Sequence, residues 1–480
     1  MATLVGRVWD RATSRPLAAR VQVLASDGSL RTPEQSILKV GTGDPFFYAD
    51  GTFAVVVPSG PTDLVVERGT EYRPLRLVVQ APQRGTVEVD LPLERWAHLA
   101  ERGLYAGNTH IHYDEKETRA LDRLQLDPRV EDLPVFIVSR LQRWQLAYAS
   151  NVFPIGRHAL STPEHSIDVG EESRHNQQPW QIGYGHIMLI GIQQLVEPMS
   201  RGVLVDDANP DYPPLIDACD RAHEQGGTVL WCHNAEGMEA PVAAVLGKLD
   251  GINLFDPWWR DPDYDVWYRL LNCGLKLPAS TGSDWYLCSS NRVYADVGSD
   301  FSYERWLAAL RAGRTFITDG PVLRIQVAGH SPGNDRLDLS PQTGAVEVVV
   351  EWEGAQPVDR VQIIRDGVVA HVHENADAAL SGRFTLNLDV TDAGWVAARC
   401  WGSRRNTYAH PLWAHTSPVY LRDRPGQTVV RGAAGTFAQQ IDSARDWIST
   451  RGRFDDSGQR DRLLQLYADG RAAFQRLSLG

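Results

Sequence analysis

The sequence predicts a multidomain α/β plus all-β chain: a central barrel of (β/α) type, β-sandwich domains on both sides of it, and a helical C-terminal tail. Three observations carry that expectation. At 480 residues the chain exceeds what one ordinary core holds. Residues 1–98 and 319–422 read as short β-branched runs punctuated by turns, whereas 99–318 alternates strand-like runs with helical periods. Residues 433–480 repeat apolar positions at helical spacing.

Composition narrows the function classes. A chain with 43% hydrophobic and 22% charged residues has the balance of a globular protein. Its net charge of −12 argues against nucleic acid or an anionic membrane as the main partner. The partner expected is a small-molecule substrate, and oligomeric state, a homo-oligomer included, stays open. No apolar run reaches the ~18 residues that span a bilayer. Met1-Ala2-Thr3-Leu4-Val5-Gly6-Arg7 lacks the basic and apolar regions of a signal peptide, so a cytoplasmic protein is expected. The five cysteines are odd in number and hold no C-x-x-C pair, which fits scattered thiols better than a disulfide frame.

In the first segment, Val5–Val8, Val21–Leu24, Phe53–Val57, Leu64–Val66 and Leu75–Val79 are strand candidates, with Asp27-Gly28 and Asp50-Gly51 as turns. In the second, the strand candidates are Val135–Val138, Ile187–Ile190, Thr228–Cys232, Ile252–Phe255 and Leu275–Pro278. A helix is expected from Pro213 to Gln225, with prolines in its first turn, a stripe of Leu215, Ile216, Cys219 and Ala222, and Gly226-Gly227 as its stop. Another is expected from Tyr303 to Ala312. The third segment returns to strands and carries a hairpin signal at Asp366-Gly367. In the tail, one helix should end at Gly452 and a second should be interrupted near Gly470.

Chemistry concentrates in the second segment. Gly107-Asn108-Thr109-His110-Ile111-His112 places two histidines two apart, so a strand would aim both imidazoles to one side and Ile111 into the packing. His371-Val372-His373 has the same form but follows a hairpin with no later ligand candidates, and is read as ordinary strand. The first pair is followed by Glu172, His186, His233 and Asp284, each on or just after a short apolar run. In a (β/α) barrel those are the strand ends where chemistry gathers. Mixed imidazole and carboxylate donors without cysteine suit an open, catalytic divalent-metal site.

The ordered set G-N-T-H-I-H, G-E-E, Y-G-H-I-M-L-I-G, C-H-N and T-G-S-D resembles the PHP metallohydrolase superfamily, and within it the carbaryl-hydrolase-like (CehA/McbA) family. The likeness continues through Asn291-Arg292-Val293-Tyr294, the run Leu310 to Pro321, Gly394 to Arg399 and Ser417 to Tyr420, and so spans most of the chain. It implies a distorted (β/α)7-type PHP barrel with metal ligands His110, His112, Glu172, His186, His233 and Asp284. Two departures stand out: Ile137-Val138-Ser139-Arg140-Leu141 replaces the usual Asp-His motif, and Asp284-Trp285-Tyr286 replaces D-x-H. The shorter ligand set implies one or two divalent ions, Zn, Mn or Fe.

The expected activity is metal-assisted hydrolysis of an ester, carbamate or amide bond. Asp284 or Asp114 would move the proton, and Arg292 would either orient a substrate oxygen or anchor the Asp284 loop. Trp285, Tyr286 and Trp258 are candidates for walls against a substrate ring, and equally for core packing. His158, His165 and His175 are expected to be exposed or to support the ligands. Two rivals are phosphoester hydrolysis at the same metals, disfavoured because no basic cluster stands beside the ligand segments, and a non-catalytic binding protein with a structural metal.

Overall fold

The computed structural model describes residues 1–39, 45–114, 116–141, 153–178, 181–197, 210–256, 263–340, 343–406 and 408–479. Alternation builds the N-terminal part. Ala2–Asp10 and Thr52–Val57 bury every second side chain, which sends Leu4, Val8, Phe53, Val55 and Val57 into one core. The eight strands from Ala2–Asp10 to Thr86–Leu93 are hydrogen-bonded into a single sheet. Gly28 and Gly51 both take the left-handed conformation that their turns require.

The expected (β/α)7-type barrel is not what forms. The chain is 22% helical and 39% strand, with seven α-helices among the described residues, and a large curled sheet takes the place of the barrel. Some pairings are parallel: Leu104–Ile111 with Val135–Arg140, Val135–Arg140 with Ser166–Gln178, and Thr228–Trp231 with Gly251–Asn253 and onward to Ala279–Ser280. Between these groups the chain runs antiparallel. Ser166–Gln178 pairs antiparallel with Gln181–Ile190, which pairs antiparallel with Thr228–Trp231. Arg292–Asp296 returns antiparallel against Leu104–Ile111. Val135–Arg140, Thr228–Trp231 and Gly251–Asn253 are buried almost throughout, as is the antiparallel strand Gln181–Ile190 from Gly183 on, so the apolar run that reveals a strand does not reveal its direction.

The sheet continues past residue 318. Phe316 pairs with Thr416 and Ile317 with His415, joining the strands of the second segment to Pro411–Thr416, Trp395–Arg405 and the hairpin Arg360–Arg365/Val368–Glu374. Asp366 and Gly367 both have positive φ, as a two-residue primed turn demands. A separate sheet of Val322–Val327, Ala345–Glu353 and Ser381–Asp389 shares a core of Leu323, Val350, Val361, Ile363, Val396 and Ala398 with those strands.

The helix Leu215–Glu224 buries Leu215, Ile216, Cys219 and Ala222, the stripe its spacing predicts. In the tail, Gln427–Thr450 packs against Ser457–Leu479. The second helix passes through Gly470 without interruption. A Cβ there would lie 2.9 Å from Val242 Cγ1, so the glycine serves close helix contact rather than a break. No helix among the described residues is long and apolar enough to cross a membrane.

Candidate metal centre

Strand geometry brings the six predicted donors together. His110 ends the Leu104–Ile111 strand region with His112 two residues on, and both are fully buried. Asn108 fixes this segment: its amide donates to Ser283 Oγ (2.5 Å), and its Oδ1 accepts from Ser283 N (3.1 Å). The His110 carbonyl accepts from the N–H groups of Ser283 (2.9 Å) and Asp284 (2.7 Å), and His112 N donates to the Trp285 carbonyl (2.6 Å). The Asp284 loop is thereby zipped onto the histidine pair. Gly282 permits the approach, because a Cβ there would stand 2.4 Å from His110 Cβ.

Two lobes result. In the first, His112 Nε2 lies 3.2 Å from His110 Nε2, 3.1 Å from Glu172 Oε2 and 3.1 Å from Asp284 Oδ1. His110 Nε2 is 3.6 Å from the same glutamate oxygen and 3.5 Å from the same aspartate oxygen. Donors around one metal at the usual ~2.0–2.2 Å stand roughly 3.3 Å apart; His110, His112 and Glu172 form such a group, and Asp284 approaches it at the two histidines. In the second lobe, His186 Nδ1 lies 3.1 Å from Glu172 Oε1 and 2.7 Å from His233 Nε2, and His233 Nε2 lies 3.9 Å from that oxygen. Glu172 gives one oxygen to each lobe. These buried groups are close enough to hold a metal ion.

Three of the four outer ring nitrogens are already engaged, and His112 Nδ1 is the exception. His110 Nδ1 meets Asp256 Oδ2 at 2.8 Å, His233 Nδ1 meets the Asp256 carbonyl at 2.7 Å, and His186 Nε2 meets Asn176 Oδ1 at 3.2 Å. An N–H spent outward leaves the inward nitrogen as a donor of its lone pair, which is how metal-binding histidines are usually oriented. Asp256 also accepts from His233 N through Oδ1 (2.7 Å), so one carboxyl braces both lobes. Sequence reasoning missed it, although it directly follows the predicted strand Ile252–Phe255, just as His233 follows Thr228–Cys232.

The electrostatics call for cations. Burial favours the neutral forms of Glu172, Asp256 and Asp284, but the surrounding histidines, and Arg174 for Glu172, outweigh it and hold all three below the usual carboxylate range. Burial likewise opposes charge on His110 and His233, yet the facing carboxyl groups raise both. The field that would keep a proton on these rings would equally hold a metal ion in its place. His186 goes the other way: burial and the adjacent Arg174 press it down to about 3, so it is a neutral donor. A third grouping joins His110, Cys232 and Asp256. It would use the His110 nitrogen already bonded to Asp256, and burial pushes the Cys232 thiol up and keeps it protonated, so the two lobes sharing Glu172 fit better.

Backbone strain marks the same loops. His233, Asn234 and Ala235 are all left-handed, as are Phe255 and the pair Asp284-Trp285. Non-glycine residues in that region cost on the order of 1–3 kcal/mol each and collect where a site must be shaped. Here they turn His233 and Asp284 inward.

The remaining predicted residues are placed as follows. The Asp114 carboxylate accepts from Lys116 N (2.8 Å) in a turn, and no ion pair or hydrogen bond among the described residues joins it to the cluster. Arg292 is buried and donates to the Ser289 and Asn291 carbonyls and to Glu131 Oε2 (2.8 Å), fastening the loop after Asp284 to the helix Ala120–Val130. Trp285 and Tyr286 stack with ring centroids 5.1 Å apart, and the Tyr286 ring stands 6.5 Å from that of His112. Trp258 lies outside the described residues. Of the two placements expected for His175, exposure or support of the ligands, exposure does not hold: the ring is fully buried and stacks on Tyr184 at 3.7 Å. His371 and His373 lie beside Phe384 at the far end of the large sheet and join no metal-competent group among the described residues. No protein-family model matches the chain, and no curated protein matches it.

Proposed function

We propose that the chain is a metal-dependent hydrolase that cleaves an ester, carbamate or amide bond of a small organic substrate, akin to the carbaryl-hydrolase-like branch of the PHP metallohydrolases. The observation that carries this is the shared Glu172: its two oxygens each face a separate set of histidine nitrogens at 3.1–3.9 Å. One or two ions of Zn, Mn or Fe bound by such donors would polarise a carbonyl and lower the pKa of water towards about 7. His110, His112 and Asp284 would hold one ion with Glu172, and His186 and His233 the other. Asp256 keeps His110 and His233 in their donor orientation. Asp284 is 9% exposed whereas Glu172 and Asp256 are at most 2% exposed, so Asp284 is the carboxylate best placed to take a proton from water and return it to a leaving group. Trp285 and Tyr286, half-buried and stacked beside His112, would border the substrate. A structural zinc site would be closed and would draw on cysteine, but Cys232 stands outside both lobes. All five cysteines are free and buried, which supports a reducing, cytoplasmic setting.

Phosphoester hydrolysis is the second reading, and one observation favours it: Arg174 Nη2 stands 2.8 Å from Glu172 Oε2, which puts a basic group at the donors although the sequence shows no basic cluster beside them. A screen of aryl esters, carbamates, amides and phosphoesters with the metal-loaded protein decides between them. Turnover of carbonyl substrates, abolished in Asp284→Ala, is the expected result. Turnover of phosphoesters alone would promote the second reading, and turnover of neither class would remove the hydrolase assignment.

A further inference from the structure

Arg174 lies two residues beyond Glu172 on Ser166–Gln178, so the strand's period of two sends both side chains to one face. Its partner across the ladder is His186, a donor of the second lobe. The guanidinium is therefore set by the backbone between the lobes. Nη2 donates to Glu172 Oε2, the oxygen that also faces His110 and His112. That is its one hydrogen bond among the described residues; Nε has none, and the side chain is only 9% exposed.

A fixed positive charge beside a metal-binding carboxylate works against metal binding, because it draws on the same negative charge. Burying it with an unsatisfied N–H adds a further cost. The site has three carboxylates, Glu172, Asp256 and Asp284, and of these Arg174 meets Glu172. With two divalent ions and a hydroxide bound, these groups and Arg174 would leave the site one positive charge in excess, which an anionic group would balance. A guanidinium offers paired N–H groups in a plane, the geometry that a carboxylate or phosphoryl group accepts.

We propose that Arg174 receives an anionic oxygen group of the substrate, next to the bond that is cleaved, and so favours substrates that carry such a group over neutral ones. This rests on the hydrolase reading above. The rival role, a brace that only orients Glu172, predicts loss of metal when the arginine is replaced.

The test uses the metal-loaded full chain as wild type, Arg174→Lys and Arg174→Gln, with metal content measured for each. Succinate and inorganic phosphate serve as calorimetric probes, and the tighter of the two tells whether the anion is a carboxylate or a phosphoryl group. The expected result is equal metal content, binding at least tenfold weaker in Arg174→Gln, and partial recovery in Arg174→Lys. Equal probe affinity in all three proteins would overturn the proposal, as would failure of wild type to bind either probe, or loss of metal from Arg174→Gln. A wild type that takes up no metal at all would remove the hydrolase reading, whereas normal metal content with unchanged anion binding removes only the role of Arg174.

Discussion

At the residue scale, the donors with a signature were legible. His110 and His112 stand two apart at the end of an extended segment, and that spacing alone aims both rings one way. Glu172, His186, His233 and Asp284 followed from their places beside apolar runs. Asp256 and Arg174 were not legible, for a physical reason: a lone aspartate or arginine acquires its role only from the neighbour it meets across the sheet. Arg174 meets His186 through an antiparallel register that the sequence does not show. Asp256 touches His110 and His233, which lie 146 and 23 residues away. Because Asp256 orients a histidine of each lobe, Asp256→Ala should weaken metal binding by about 10–100-fold while the fold persists. Metal affinity by competition with a chelator checks this, alongside circular dichroism. Unchanged affinity would show that the carboxyl is only a packing group.

At the element scale, helices with complete stripes and stops were read well, and the long hairpin through Glu172 was not. Ser166–Gln178 and Gln181–Ile190 read as separate runs because polar side chains at Glu172, Arg174, Asn176 and His186 replace the apolar alternation that marks a strand. The helix Leu215–Glu224 also uses a partner from outside its own segment. Its first N–H groups, Leu215 N (3.2 Å) and Ile216 N (2.7 Å), donate to the buried Glu239 carboxylate. Burial raises Glu239 from 4.5 to about 8, and the two N–H bonds offset this only in part. The folded chain therefore holds this proton where the unfolded chain has released it. Its stabilising effect is complete below about 4.5 and is lost as pH rises through about 8. Thermal melts between pH 5 and 8.5 should show this fall in wild type and a flatter profile in Glu239→Gln. Equal slopes in the two proteins would contradict the assignment.

At the scale of the whole molecule, the sequence foretold where sheet and helix lie better than how the strands connect. Two-residue strands such as Ala279–Ser280 and mixed parallel and antiparallel pairing leave no trace in an apolar pattern, so a curled sheet was taken for a (β/α) barrel. The hydrogen-bonded continuity from Thr315–Thr318 to Pro411–Thr416 implies that the strands carrying the candidate donors do not stand alone. A chain truncated after residue 318 would bare that edge and should aggregate on expression, whereas a soluble, metal-binding fragment would show that the C-terminal strands are dispensable. The central claim is that two sets of buried donors share Glu172 around bound metal. Elemental analysis of metal per chain, on wild type beside His110→Ala/His112→Ala and the control His371→Ala, tests it most directly. One or two equivalents of Zn, Mn or Fe in wild type and the control, and loss from the double variant, is the predicted result. Equal metal in all three proteins, or none in wild type after reconstitution with each ion, would contradict it.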